Sequence, residues 1–393
     1  MKKVIYFLFF LYSFSAFAEK KIWYAPNCFE AYGEEEINAV TQCLRDGWLA
    51  GFGPRTQEFE KKIASLFGKK YGLFVNSGSS ANLLALLAIG VSPGDEVITP
   101  ACTFATTVAP IVQLGAIPVF CDVQLLEYVP EVEEIVRLIT PRTKCIFLPN
   151  LIGNKPDWKR LKQLTLLPLI EDSCDTITET KDSDIATTSF YASHIITACG
   201  SGGMVMFNDE SLYKVATMYR DWGRIGNNQE DLHERFNCQI DGIPYDFKFL
   251  YGVRGYNFKS SEVNAAFGLA QLEKLPLFLK KRRQIFERYQ ANLQDTDFQL
   301  PWDENQSNWL AYPLLCKDRL SLLNFLEKNG IQTRVIFAGN ITRHPAYREF
   351  LQPFPNADRI MEEGFLIGAH HGMSLEDVDY VCALLKEWGN QQK

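Results

Sequence analysis

At 393 residues, 47% hydrophobic and 22% charged, the chain has the length and apolar content for a large and a smaller domain, and too much apolar surface to stay disordered. A formal charge of −7 without long basic runs argues against a nucleic-acid surface and leaves room only for a local basic pocket around a phosphate. Ten cysteines form no C-x-x-C pair, and Cys121 and Cys145 lie inside apolar strand-like runs, so no zinc site is expected.

The first 18 residues differ in kind. Lys2 and Lys3 precede an apolar run from Val4 to Phe10 and beyond, which ends in Ala16-Phe17-Ala18 before Glu19. That pattern reads as a signal peptide with a mature start at Glu19; an uncleaved anchor and a mis-assigned start are the alternatives. No other span approaches transmembrane length.

Next, Ile37, Val40 and Leu44 share one helical face closed by Gly47, and Phe59, Ile63 and Phe67 form a second stripe closed by Gly68. From Tyr71 short β-rich runs alternate with helical ones: strands at 72–75, 96–99, 118–122, 144–149 and 167–171, with helices opening at Ser79 and Ala105. Such alternation predicts an α/β fold, a parallel sheet wrapped by helices with ligands at the strands' carboxyl ends. Residues 221–259, rich in glycine, asparagine and aromatics, read as one long functional loop. From Gln271 a helical run leads into Leu310–Leu315, Arg319–Lys328, Thr333–Phe337 and Leu375–Trp388, a smaller α+β domain.

Three segments carry chemistry. Asn76-Ser77-Gly78-Ser79-Ser80-Ala81-Asn82 follows a strand and opens a helix, offering free N–H groups and hydroxyls to a phosphate, or simply capping the helix. Asp172 ends another apolar strand at the same edge, where an acid can keep a pyridinium protonated or can cap the next element. Phe104 could stack on a planar ring or belong to the core.

In this order the segments resemble the DegT/StrS family of sugar aminotransferases and related dehydratases, from about Tyr32 to Trp388. The markers include Gly47-Trp48-Leu49, the Ser-Gly-Ser-Ser-Ala-Asn turn, Pro93-Gly94-Asp95-Glu96-Val97-Ile98, Glu171-Asp172, Ser189-Phe190, Gly202-Gly203 and Gly255-Tyr256-Asn257. The resemblance implies the aspartate-aminotransferase type I fold that binds pyridoxal 5'-phosphate (PLP) or pyridoxamine 5'-phosphate (PMP), in a homodimer with sites at the interface. With the leader pattern over 1–18 set apart, it implies a large cofactor-binding domain over 19–275 and a small domain over 276–393. Asp172 would meet the pyridine nitrogen, Phe104 the ring face and Asp175 the ring hydroxyl. Gly78, Ser79 and Ser189 would hold the phosphate, with Asn257 reaching it from the other subunit.

Family aminotransferases carry their Schiff-base lysine five residues after the serine of Ser189-Phe190; here that position is His194, and no lysine lies between Lys181 and Lys214. Imidazole cannot form that linkage but can move a proton near neutral pH. The replacement resembles the 3-dehydratases of 4-keto-6-deoxy sugar nucleotides, as do Pro149-Asn150-x-x-Gly153-Asn154, Arg220-Asp221-Trp222-Gly223-Arg224 and Thr333-Arg334-x-x-Phe337-Ala338-Gly339-Asn340. That branch implies a sugar-nucleotide substrate, glutamate as amine donor, and Arg334, Arg343 and His344 near the substrate. An aminotransferase using an unusual lysine and a non-catalytic binding descendant are the competing readings. The leader suggests export, whereas the inferred chemistry suggests the cytoplasm.

Two departures accompany the resemblance. Ala198-Cys199-Gly200-Ser201 is one residue longer than the family's T-x-G-E-G-G and lacks its acid. Some of these dehydratases hold an iron–sulfur cluster on four cysteines; Cys174 matches the first and the long loop offers only Cys238, so no cluster is expected. His370 and His371 read as a solvated turn, since adjacent side chains on an extended chain diverge.

Overall fold

A computed structural model describes residues 21–26, 32–226, 231–303 and 307–392; the leader expected over 1–18 lies outside them. Two helices, α1 (Glu34–Asp46) and α2 (Pro54–Leu66), lead into the alternating core. It runs β1 (Tyr71–Val75), α3 (Gly78–Ala88), β2 (Glu96–Pro100), α4 (Ala105–Gln113), β3 (Ile117–Cys121), α5 (Val132–Arg137), β4 (Thr143–Pro149) and α6 (Trp158–Leu164). It ends with β5 (Leu169–Asp172), β6 (Ile185–Ser189), β7 (Gly203–Phe207) and α7 (Glu210–Arg220).

These strands form a seven-stranded sheet in the order β1-β7-β6-β5-β4-β2-β3. β7 runs antiparallel to both β1 and β6, and every other neighbouring pair is parallel. A parallel strand covered on both faces needs apolar side chains on both, and β2 is buried at all five positions. Because six strands share one direction, Val75, Asp172 and Ser189 all finish at the same sheet edge.

The region read as one loop holds more structure than its sequence pattern promised. It contains a short helix, α8 (Leu232–Arg235), and a hairpin of β8 (Cys238–Ile240) and β9 (Ile243–Tyr245). Asp241 and Gly242 turn the hairpin with φ of 52° and 82°, the left-handed pair that a two-residue hairpin turn requires.

α9 (Glu262–Leu293) runs 32 residues without a break, so the boundary expected at 275/276 falls inside it. Its first half meets α1 through Gln271 and Lys274, which reach Glu36 at 2.7 Å each. Its second half meets α12 (Leu375–Gln391) through Arg288 and Asn292, both on Asp379. Between them come β10 (Ala311–Leu315), α10 (Arg319–Lys328), β11 (Arg334–Val335), α11 (Pro355–Glu363) and β12 (Gly364–Gly368). The three strands form an antiparallel sheet, β10-β12-β11, and Ile22 of the N-terminal segment bridges Ile331 next to it.

Candidate active site

A cavity of about 500 Å³ opens at the shared carboxyl edge of the large sheet, walled on its other side by the small domain and the N-terminal segment. Ser77, Gly78 and Ser79 enter it from the N-cap and first turn of α3. The Ser77 hydroxyl accepts from Ser80 N at 3.1 Å, capping the first turn of the helix. Ser79 Oγ donates to Thr106 Oγ1 at 2.9 Å, and Ser189, at the end of β6, lines the same corner. Glycine is required here: a Cβ on Gly78 would lie 2.6 Å from Cys174 Sγ and 2.8 Å from Ser189 Cβ. The corner is a ready anion cradle.

Asp172 ends β5 within the cavity. Its Oδ2 accepts from Asn82 Nδ2 and Thr107 Oγ1, each at 2.8 Å, and its Oδ1 accepts from Cys174 N at 3.2 Å. Asn82 is itself held by Thr187 Oγ1 at 2.6 Å, so the carboxylate is oriented through two layers of hydrogen bonds. No basic side chain among the described residues forms an ion pair with it, which leaves its charge for a ligand. Phe104 stands 51% exposed at the start of α4, its ring edge-on to Phe337 with centroids 5.9 Å apart. A large apolar ring held open in a cavity wall suits a flat aromatic ligand.

His194 and Asp175 face each other with His194 Nε2 3.9 Å from Asp175 Oδ1, too far for a hydrogen bond. Burial, aided by the charge of Arg282, pushes the imidazole pKa down to about 4. Burial pushes the Asp175 carboxyl up to about 7, and the neighbouring Asp172 charge acts the same way. An ion pair would move both groups in the opposite directions. His194 is therefore a neutral imidazole at physiological pH, able to accept a proton, with Nδ1 buried and without a hydrogen-bond partner. Asp175 is held by Ile152 N at 2.8 Å, and Ile152 has φ of 58°, an unusual strain for a β-branched residue.

Gly78, Ser79, Phe104, Asp172, Asp175, Ser189 and His194 thus meet in one cavity, and Arg334 joins them from the small-domain wall. Arg343 and His344 do not line it. Arg343 is tied to Asp358 in a two-pronged ion pair on the surface, and His344 Nε2 contacts Ala338 O at 2.8 Å. Asn257 does not line the cavity of its own chain. His370 and His371 do not form the expected solvated turn: they are 1% and 5% exposed. The N-terminal segment covers His370, whose Nε2 lies 3.0 Å from Trp23 O, while His371 stacks on Phe278 at 3.7 Å.

Sequence reasoning passed over Tyr24, Tyr191 and Ser193 in the cavity wall. The last two were findable, since they sit in the same loop as His194. Tyr24 carries no sequence signal. The lengthened Thr197–Gly202 loop absorbs its extra residue through left-handed backbone at Cys199 and Gly200, with φ of 58° and 86°. Among the described residues no lysine lines the cavity, and no group of three or more His, Cys, Asp or Glu side chains is arranged to hold a metal ion. Cys174 lies in the cavity wall, while Cys238 sits on the β8–β9 hairpin with its Sγ 3.0 Å from Tyr245 O.

The anion cradle, the oriented acid and the open aromatic ring fit a phosphorylated pyridine such as PLP or PMP. Fold and site together define a type I PLP enzyme. A model of the DegT/DnrJ/EryC1/StrS aminotransferase family matches residues 30–386, and the chain belongs to that family of PLP-dependent, sugar-modifying enzymes. It is 35% identical to the lipopolysaccharide biosynthesis protein RfbH of Salmonella typhimurium, over 92% of this chain and 91% of that one. It is 33% identical to the dTDP-4-dehydro-2,6-dideoxy-D-glucose 3-dehydratase of Saccharopolyspora spinosa, over 86% and 80% of the two chains. Among solved structures it resembles the GDP-4-keto-6-deoxy-D-mannose-3-dehydratase of E. coli with bound hydrated PLP. That likeness has a TM-score of 0.83 and 25% identity, covering 93% of this chain and all of the other.

Proposed function

We propose that the chain is a PMP-dependent 3-dehydratase of a 4-keto-6-deoxy sugar nucleotide, with glutamate as amine donor, working as a homodimer. The observation that carries this reading is His194: a neutral, buried imidazole faces the cavity and no described lysine does. When bound, PMP supplies an amine for the sugar's keto carbon and a pyridinium ring that draws electrons. Asp172 would hold the proton on the ring nitrogen, and the Ser77–Ser79 turn with Ser189 would bind the phosphate. Phe104 would cover one ring face and Asp175 would stand beside the ring hydroxyl. His194 would accept the proton at Nε2, the nitrogen turned toward Asp175, and Asn257 would serve the partner's phosphate site.

The apolar part of the wall, with Pro149, Leu151, Leu310, Val335 and Leu366, keeps water away from the reacting groups. Arg334, at its rim, is the basic group available to a diphosphate. The test is a mass-spectrometric turnover screen of 4-keto-6-deoxy sugar nucleotides with PMP and glutamate. A 3-deoxy product supports the dehydratase. An amino sugar, with cofactor that borohydride fixes to the protein, would establish the aminotransferase instead. Cofactor or sugar binding without turnover would make the chain a binding descendant.

A further inference from the structure

The cavity wall supplied by the small domain and the N-terminal segment consists of Tyr24, Leu310, Arg334, Val335, Phe337 and Leu366. Four of these six offer no polar side-chain atom. Arg334 and Tyr24 are the only side chains there that can donate a hydrogen bond. A hexose carries several hydroxyls that must find partners when they leave water.

Tyr24 is held in place by its backbone. Ile22 N donates to Gly330 O at 2.9 Å, and Gln332 N donates to Ile22 O at 2.9 Å. Tyr24 N donates to Gln332 Oε1 at 3.1 Å, and His370 contacts the Trp23 carbonyl. The segment is thus stitched to the small domain from Ile22 to the Tyr24 backbone. The phenol makes no hydrogen bond to any described residue, although its ring lies 5.8 Å from the Arg334 guanidinium carbon. Burial and the charge of Asp175 push its pKa up, so it remains a neutral donor.

We propose that Tyr24 recognises the hexose, its hydroxyl hydrogen-bonding a sugar oxygen while Arg334 takes the diphosphate. This rests on the sugar-nucleotide reading above and adds a specificity residue to it. The N-terminal segment then becomes part of the substrate site.

Binding distinguishes the two claims because it needs no turnover. The probes are 4-keto-6-deoxyhexoses linked to guanosine, thymidine, cytidine or uridine diphosphate, each paired with the free nucleoside diphosphate. Tyr24→Phe keeps the ring and is expected to weaken the matching sugar nucleotide about three- to tenfold, the usual worth of one neutral hydrogen bond. Free nucleoside diphosphate should change by less than about twofold, which also shows that the variant is folded. Arg334→Met should weaken both probes. Equal loss of both probes in Tyr24→Phe, or loss of neither, overturns the proposal. If wild-type protein binds these probes without dehydrating them, only the dehydratase reading falls and the Tyr24 comparison still decides. If it binds no sugar nucleotide, both claims fall.

Discussion

Replacing His194 by asparagine keeps a planar polar group in the cavity and removes its basicity. With the imidazole pKa at about 4, nearly every wild-type molecule carries the neutral base near pH 7, so the substitution takes away a base that is almost fully available. Loss of a positioned general base costs about 10²- to 10⁴-fold in rate, which corresponds to about 3 to 5 kcal/mol of barrier. Cofactor affinity should hardly change, because the cradle at Gly78, Ser79 and Ser189 and the acid Asp172 are untouched. His194→Lys goes further: an amine at this position can reach the cofactor's aldehyde, with Asp175 nearby as counter-charge. That variant should lose dehydration and gain a borohydride-reducible link to PLP, mapped to residue 194 by peptide mass spectrometry. The assay is single-turnover dehydration of a 4-keto-6-deoxy sugar nucleotide by PMP-loaded protein. If both variants run at the wild-type rate, His194 is not the base and the assignment of this site fails.

Gly78→Ala should destabilise the fold by about 1 to 3 kcal/mol through overpacking against Cys174 and Ser189, and should weaken PLP retention, read by thermal melting and cofactor titration. The Asp175 carboxyl lies at about 7 in the fold against a usual 3.8, so the stability it allows is complete below the lower value and lost as pH rises through the upper one. Asp175→Asn, which can still accept from Ile152 N, should therefore gain in melting temperature relative to wild type between about pH 5 and pH 8; a gap that is flat or shrinks refutes the raised pKa. Anaerobically purified protein should carry no stoichiometric iron and need no reductase, because the long loop offers only Cys238 to accompany Cys174; iron analysis near one cluster per chain would defeat this.

What the sequence revealed and what it hid follow from how local each signal is. β1 to β5 were legible because their mostly buried positions read as apolar runs, and their ends placed Asp172 and the Ser77–Ser79 segment at one edge. β6 was hidden by its composition: Ile185-Ala186-Thr187-Thr188-Ser189 is fully buried yet three of its five residues are polar. Its threonine hydroxyls find buried partners, Thr187 on Asn82 of α3 and Thr188 on Ser173 O just past β5, so burial costs little while the hydrophobic signal vanishes. The same polar strand turns Asn82 toward Asp172, and so supports the very acid that the sequence made visible.

The remaining misses share a different cause. His370 is buried by Trp23, 347 positions away, and Tyr24 reaches the cavity through contacts with residues 330–332. No local window relates such distant positions, and a histidine pair or a lone tyrosine has no periodicity to exploit. Arg343 differs again: its motif pointed to the substrate, and in the structure Asp358, fifteen residues on, holds both arms of its guanidinium. Chemistry on strand ends can thus be read from sequence, because the sheet fixes where those ends lie. Chemistry on the facing wall depends on which segment docks there, and in this chain Tyr24 of the N-terminal segment contributes to that wall. On the proposed assignment, substitutions near residues 21–26 would alter substrate selection while leaving the site at Asp172 and His194 intact.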